Sequence, residues 1–327
     1  MKWEGKSVLI TGGTGFIGSH LAERMVELGA RTRVLALYNS DGTAGWLDSS
    51  PFRSDIEIVF GDVTDPETLR EPAKGIDTIF HLAALIAIPY SYIAPRSYIR
   101  TNIEGTLNVL QAGRDADVRR IVHTSTSETY GTAQTVPITE DHPLQGQSPY
   151  AASKIGADKM VEAFHRSFEV PVTTVRPFNT YGPRQSARAV LPTIITQALT
   201  QDRIKLGSLH PTRDLNHVED TAEGFVKASE SDRALGMTVN LATGKEISVG
   251  DLARSILSIL DRDLPIVSDD VRVRPVASEV ERLCGSNELA RTLIDWKPSV
   301  SLRKGLQNTI EWFSEHHDLY RPTEYTV

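Results

Sequence analysis

The sequence predicts an α/β fold: a doubly wound, Rossmann-like parallel sheet with a smaller C-terminal lobe for substrate. Three observations predict it. Short β-branched runs alternate with helical periodicity through the first half. A cluster of glycines stands between the first run and the first helix. Beyond Pro177 the alternation gives way to shorter segments punctuated by Pro183, Pro192 and Pro211. The 327 residues suffice for one large domain, or for a nucleotide-binding domain with a smaller partner. The expected division is 1–177 for a nucleotide-binding domain and 178–327 for a smaller lobe, the two interleaved.

The elements follow in order. Ser7–Thr11 reads as the first strand, and Gly15–Leu28 has helical spacing through Ile17, Leu21, Met25 and Leu28. Arg31–Leu37, Ile56–Phe60, Asp77–Leu82 and Arg120–Ser125 read as further strands, with helices at Pro66–Ala73 and Tyr98–Ala116. Ser148–Phe168 reads as a long helix, Ser148 capping it and Pro149 at its first position. Val172–Arg176 is the next strand. Thr238–Leu241, Ser248–Leu260 and an amphipathic helix at Leu302–Phe313 follow.

Bulk properties exclude several classes. A net charge of −7 argues against a phosphate-backbone binder, so no nucleic-acid partner is expected. The single cysteine, Cys284, rules out a disulfide within the chain and a cysteine metal cluster. His123 and His217 lack partners at ligand spacing, and no metal site is expected. The start enters a strand at once, where no signal peptide fits, and the longest apolar run, Leu82–Ile88, is too short to span a bilayer. A soluble cytoplasmic protein is expected.

The glycine cluster is Thr11-Gly12-Gly13-Thr14-Gly15-Phe16-Ile17-Gly18. Small residues let a backbone approach a pyrophosphate, and the helix N-terminus supplies amide donors and a favourable dipole. The strand–turn–helix context gives this otherwise weak motif its meaning. An acid about 20 residues on, which would bond a ribose 2′-hydroxyl, is absent. That stretch reads Leu37-Tyr38-Asn39-Ser40. Asn39 or Ser40 can bond either a 2′-hydroxyl or a 2′-phosphate, so both NAD and NADP stay open.

Tyr150-Ala151-Ala152-Ser153-Lys154 puts Tyr150 and Lys154 on one helix face. An ammonium nearby favours tyrosinate, which would make Tyr150 a general base near neutral pH. Alone, such a spacing is more often a solvated helix pair. The context reverses that judgement, because the preceding strand runs into Thr124-Ser125-Thr126-Ser127-Glu128-Thr129-Tyr130-Gly131.

The glycine loop, Thr126 and Tyr150-x-x-x-Lys154, in this order, resemble the extended short-chain dehydrogenase/reductase family of NAD-dependent epimerases and dehydratases, over nearly the whole chain. The resemblance implies NAD as cofactor. It implies that Gly12, Gly15, Phe16, Ile17 and Gly18 hold the pyrophosphate, and that Asp62 in Gly61-Asp62-Val63 meets the adenine. Leu82, Ala83 and Ala84 would line the cofactor, and Pro177 would touch the nicotinamide amide. Thr126 and Tyr150 would bond the sugar hydroxyl that is oxidised. Arg176-Pro177-Phe178-Asn179-Thr180-Tyr181-Gly182-Pro183 resembles the segment whose Asn, here Asn179, bonds a sugar diphosphate. Arg188 and Val190 fall where the base is gripped, and Arg213 and Arg274 are candidates for the diphosphate.

Thr126-Ser127-Glu128 narrows the activity. A 4-epimerase needs no acid at this point, whereas 4,6-dehydratases and UDP-glucuronate decarboxylases carry one. Tyr38-Asn39-Ser40, Gly45-Trp46-Leu47-Asp48 and Arg184-Gln185-Ser186-Ala187-Arg188 resemble the N-acetylglucosamine-nucleotide 4,6-dehydratases of legionaminic-acid-type pathways. The expectation is therefore a lyase acting on a GDP- or UDP-linked sugar, with Thr126, Ser127, Glu128, Tyr150 and Lys154 as its catalytic set. Rival readings are the decarboxylase, a 4-epimerase and a non-catalytic NADP sensor, the last disfavoured by the intact Thr126, Tyr150 and Lys154. A homodimer through the Tyr98–Ala116 and Ser148–Phe168 helices is also implied.

Overall fold

The computed structural model describes residues 2–273 and 275–320. Its centre is a seven-stranded parallel sheet. Strands β1 (Ser7–Thr11), β2 (Arg31–Ala36), β3 (Ile56–Phe60), β4 (Thr78–His81), β5 (Arg120–Thr124) and β6 (Val172–Pro177) come from the first half. The second half adds β7 (Asn179–Tyr181), β8 (Ile204–Leu206), β9 (Thr212–His217), β10 (Thr238–Leu241), β11 (Glu246–Ser248) and β12 (Ile266–Ser268). The sheet order is β10-β6-β5-β4-β1-β2-β3. The order reverses between β1 and β4, and the crevice beyond the strand ends at such a reversal is where α/β folds bind ligands.

The helices are α1 (Phe16–Glu27), α2 (Glu67–Ala73), α3 (Ile88–Ile93), α4 (Pro95–Tyr98), α5 (Gly105–Asp115), α6 (Pro149–Phe168), α7 (Val190–Thr200), α8 (Val218–Glu230), α9 (Val249–Ile259), α10 (Glu288–Ile294) and α11 (Leu302–Glu315). Two apolar layers sandwich the sheet, as a sheet buried on both faces requires. On one side Val8, Ile10 and Val34 meet Leu21 and Met25 of α1, Phe225 and Val226 of α8, and Trp296. On the other, Leu9, Leu35 and Ile79 meet Val109 and Leu110 of α5 and Val161 and Phe164 of α6. The chain beyond residue 178 thus contributes to the large sheet through α8 and β10. It also builds a separate core from Leu191, Ile194 and Ile195 of α7, Leu252 and Ile256 of α9, and Leu306 and Phe313 of α11.

Two differences from the sequence reading stand out. The helix expected at Tyr98–Ala116 starts at Pro95 and passes through a π-helical stretch, Ile99–Glu104, between α4 and α5. Such bulges occur often at functional sites. The small sheet of β11, β9 and β7 and the pair β12–β8 were not anticipated, since all of these strands but β9 have three residues, too few to carry a readable periodicity. No helix among the described residues is long and apolar enough to cross a membrane. Cys284 is buried, and burial pushes its thiol up to about 11.

Candidate active site

At the first strand end, the turn works by having no side chains. Gly12 adopts φ +70°, and a Cβ there would sit 2.7 Å from the Ala83 nitrogen. A Cβ on Gly18 would lie 2.2 Å from the Gly12 carbonyl oxygen, closer than any real contact. Gly15 opens α1 with no side chain capping it. The amides of Phe16, Ile17 and Gly18 therefore begin a twelve-residue helix whose N-terminus faces the turn. The β1–β4 crevice is held by side chains. Thr11 Oγ1 lies 2.8 Å from His81 Nδ1 and accepts the Ala83 N–H at 3.2 Å, while the Leu82 N–H reaches the Thr11 carbonyl. Leu82, Ala83 and Ala84 line this edge, half-buried. Asp62, after β3, accepts the Thr64 N–H at 2.8 Å, and Val63 packs beside Gly105. A glycine-lined cradle, an open helix N-terminus and a half-buried carboxylate fit a dinucleotide.

Asn39 is bonded within its own loop. Its Oδ1 accepts the Thr43 N–H at 3.0 Å, and its Nδ2 donates to the carbonyls of Leu37 and Thr43. The amide is committed to its own loop. That loop is braced by the C-terminal lobe: Trp46 lies edge-on to Trp312 of α11 at 5.5 Å, and Trp312 stacks on His316 at 4.4 Å.

The catalytic candidates meet where β5 ends beneath α6. Ser148 caps α6, its Oγ accepting the Ala151 N–H at 3.1 Å. Helical spacing then stacks Tyr150, Lys154 and Asp158 along one buried face. Thr126 caps a one-turn 3₁₀ helix, Ser127–Tyr130, and its Oγ1 accepts the Glu128 N–H at 3.3 Å. Glu128 is 8% exposed, a buried carboxylate and not a solvated loop residue. Thr126 and Glu128 both act electrostatically on Tyr150, whose ring stands edge-on to Tyr98 at 6.3 Å.

The electrostatics correct one expectation. Burial holds the Tyr150 phenol well above its ordinary range; the Thr126 hydroxyl pulls it back in part, and Glu128 and Tyr98 push it further up. Lys154 does not reverse this, because its ammonium donates to the Thr124 carbonyl at 2.6 Å. Burial brings Lys154 down to about 8, against the opposing pull of Asp158.

The substrate-side candidates divide. Asn179 lies at the start of β7 with its buried Oδ1 unpaired among the described residues, an acceptor without a donor. Pro177 ends β6, and Val190 begins α7. Arg188 is exposed, yet its charge is felt at Tyr98. Arg213 is nearly buried, and its guanidinium pairs with Glu279 at 3.1 Å and donates to the Thr212 carbonyl at 2.9 Å. A diphosphate would have to share that cation. Arg274 lies outside the described residues.

Three residues escaped the sequence reading. Asn102, on the π-helical stretch, bonds both backbone groups of Leu85 at 2.9 and 3.0 Å and Ser153 of α6 at 2.9 Å. It ties the loop after β4 to α6. Asp158 and Arg176 form a buried ion pair at 2.7 Å behind Lys154. The i, i+4, i+8 ladder from Tyr150 to Asp158 was a signal for the second; nothing local announced the others.

Known proteins resemble this chain along most of its length. Residues 9–309 match the family described as GDP-mannose 4,6 dehydratase. A UDP-glucose 4-epimerase of Mycolicibacterium smegmatis is 32% identical, the match covering 93% of this chain and 97% of the relative. A dTDP-glucose 4,6-dehydratase of Mycobacterium tuberculosis is also 32% identical, over 96% of this chain and 95% of the relative. Among solved structures, DesIV of Streptomyces venezuelae, a dTDP-glucose 4,6-dehydratase with NAD and TYD bound, superposes with a TM-score of 0.86 at 29% identity. It covers 97% of this chain and all of its own.

Proposed function

Because this chain belongs to the GDP-mannose 4,6-dehydratase family, we propose that it is an NAD-dependent nucleotide-sugar 4,6-dehydratase. Its substrate is a nucleotide-linked hexose, with GDP- or UDP-N-acetylglucosamine the first candidates, and its product the 4-keto-6-deoxy sugar. The observation that carries this reading is Glu128: a buried carboxylate beside Tyr150, where a 4-epimerase has no use for an acid.

Gly12, Gly15, Phe16, Ile17 and Gly18 would hold the cofactor's pyrophosphate and Asp62 its adenine, with Leu82, Ala83, Ala84 and Pro177 bordering it. When bound, NAD would supply the hydride acceptor for the sugar C4 and the hydride donor for C6. Tyr150 takes the proton of the 4-hydroxyl, with Thr126 bonding the same oxygen. The phenol's burial opposes tyrosinate, the Thr126 hydroxyl offsets it in part, and Lys154, one turn along, stays bonded to the Thr124 carbonyl. The 4-ketone acidifies the C5 proton, which Glu128 removes. The C6 hydroxyl leaves as water, its proton coming from Ser127 or the newly protonated Glu128, and a proton is finally returned to C5. Asn179 and Arg213 serve the sugar diphosphate in this scheme, and Arg188 and Val190 the base.

A second reading, 4-epimerisation, is favoured by the mycobacterial relative that carries that activity in its name. Incubation with UDP-, GDP- and dTDP-sugars, followed by product mass, separates the two. Loss of water supports the dehydratase. An unchanged mass supports the epimerase, and loss of carbon dioxide from a uronate the decarboxylase. Glu128→Gln sharpens the test: it should slow elimination roughly 10²–10⁴-fold while reduced nicotinamide still forms. Tyr150→Phe should suppress that reduction by a similar factor. Normal turnover with normal solvent-deuterium incorporation at C5 in Glu128→Gln would remove Glu128 from the mechanism. A homodimer through α5 and α6 belongs to the same proposal, and a monomer mass by light scattering at micromolar protein would refute it.

A further inference from the structure

The groups assigned to the chemistry sit on two separate elements. Tyr150 and Lys154 ride on α6, while Thr126 and Glu128 ride on the segment that leaves β5. Sugar oxidation needs these placed to a fraction of an ångström. Asp158 touches both elements. Its Oδ2 accepts the Ser125 hydroxyl at 2.7 Å and Arg176 Nη2 at 2.7 Å, and its Oδ1 lies 3.2 Å from His123 Nε2. Ser125 stands between Thr124, whose carbonyl receives Lys154, and Thr126. Arg176 closes the arrangement: its Nε donates to Ser125 Oγ at 3.3 Å, and its guanidinium lies 4.6 Å over the Tyr130 ring. Tyr130 ends the 3₁₀ turn that carries Glu128, and its hydroxyl donates to Asn240 at 2.8 Å. The catalytic turn is therefore gripped at both ends, before Thr126 and after Glu128, by one buried ion pair.

We propose that Asp158, acting with Ser125 and Arg176, is a positioning residue that holds the Thr124–Tyr130 segment in register with Tyr150 and Lys154. In this proposal the network acts only through the residues it fixes. The inference rests on Thr126, Tyr150 and Lys154 carrying out the sugar oxidation. The later chemistry does not enter it, because dehydration, epimerisation and decarboxylation all begin with that oxidation.

The charge of Asp158 has a second, separable effect. Lys154 is faced by Asp158 on its own helix, by His123 from β5 and by His81 from β4. Both imidazoles are kept neutral by burial, so Asp158 is the one anion among these neighbours, and it raises the lysine. Removing that charge lets Lys154 lose its proton at lower pH.

The test uses the full-length holoenzyme with whichever nucleotide sugar it turns over, and compares Asp158→Asn with Ser125→Ala. A cavity of about 220 Å³ lined by Asp158, Arg176, Thr174 and Thr238 lies beside the pair, so water can serve groups left unpaired in either variant. Asp158→Asn is expected to lower kcat about 10- to 100-fold while KM and NAD affinity stay within about threefold. The alkaline limb of its kcat–pH profile should move to lower pH. Ser125→Ala keeps the charge, so its kcat should fall without movement of that limb. Both should slow formation of reduced nicotinamide in a single turnover. If both variants lose thermal stability but keep kcat and the wild-type pH profile, the network is structural only and the proposal is wrong. Should Asp158→Asn not fold, Ser125→Ala decides alone: unchanged kcat overturns the proposal, and a fall at unchanged KM supports it. A product of unaltered mass would revise the dehydratase reading and leave this comparison intact.

Discussion

The glycine turn after β1 and the catalytic corner after β5 occupy equivalent places in one sheet, yet they are built by opposite means. The turn is made by missing side chains: Gly12, Gly15 and Gly18 leave backbone amides and space, and local sterics decide the shape. The corner is made by crowded polar side chains: Lys154, Asp158, Arg176 and Glu128 are all less than a tenth exposed. Each of those groups would be costly to bury alone, and contacts distant in sequence satisfy Lys154, Asp158 and Arg176. A cradle can be written in eight consecutive residues; a corner needs β5, α6, β6 and β10 together.

The comparison can be broken at the turn first. Gly18→Ala should be the most damaging single methyl in the cofactor half, costing about 3 kcal/mol by overpacking against rigid backbone and abolishing NAD retention. Chemical denaturation with NAD calorimetry checks both. An alanine variant of wild-type stability that binds NAD normally would show that the turn has slack the geometry denies.

At the corner the opposite sign is expected. Lys154→Met should inactivate the enzyme and yet stabilise the cofactor-free protein at neutral pH by about 2 kcal/mol. The reason is linkage. The lysine titrates near 8 in the folded chain against an ordinary 10.5. Its burial penalty is therefore fully present below about 8 and relieved as pH rises to 10.5. Wild-type stability should gain on the variant's across that window. Parallel stability–pH curves for the two proteins would contradict the assignment.

The smallest effect tests whether the corner depends on the local start of α6. Ser148→Ala removes a cap whose Oγ accepts the Ala151 N–H, and should cost about 1 kcal/mol while leaving kcat within about twofold, since the tertiary contacts hold Tyr150. A kcat loss as large as that of Asp158→Asn would mean that the cap, and not the buried network, sets the register.

The same contrast explains what could be read in the sequence. Ser7–Thr11 and Ile56–Phe60 form strands at the expected residues, because β-branched runs declare themselves locally. Arg31–Leu37 loses its last residue, Leu37, which points into solvent at 65% exposure. The glycine turn and the convergence of Thr126, Glu128 and Tyr150 were legible, since fixed spacing carries them. Arg176 was not: a charge in a fully buried strand looks out of place until Asp158 is brought against it. The four hydrogen bonds that Asn39 makes within its own loop are likewise visible only in three dimensions.

The packing of α8 against α1 bears on the order in which the chain can mature during synthesis. The apolar face shared by Val8, Ile10, Leu21 and Met25 is completed by Phe225, Val226 and Trp296, made some two hundred residues later. Trp312, which braces the Trp46 loop, comes later still. A nascent chain that has emerged only through β6 therefore displays a glycine cradle on a half-covered sheet, sticky on one side. Its need for shelter on the ribosome is greatest while the N-terminal half is outside and α8 is still in the tunnel. Acquisition of the dinucleotide becomes a late event, set by the end of translation and not by the early appearance of the residues that grip it.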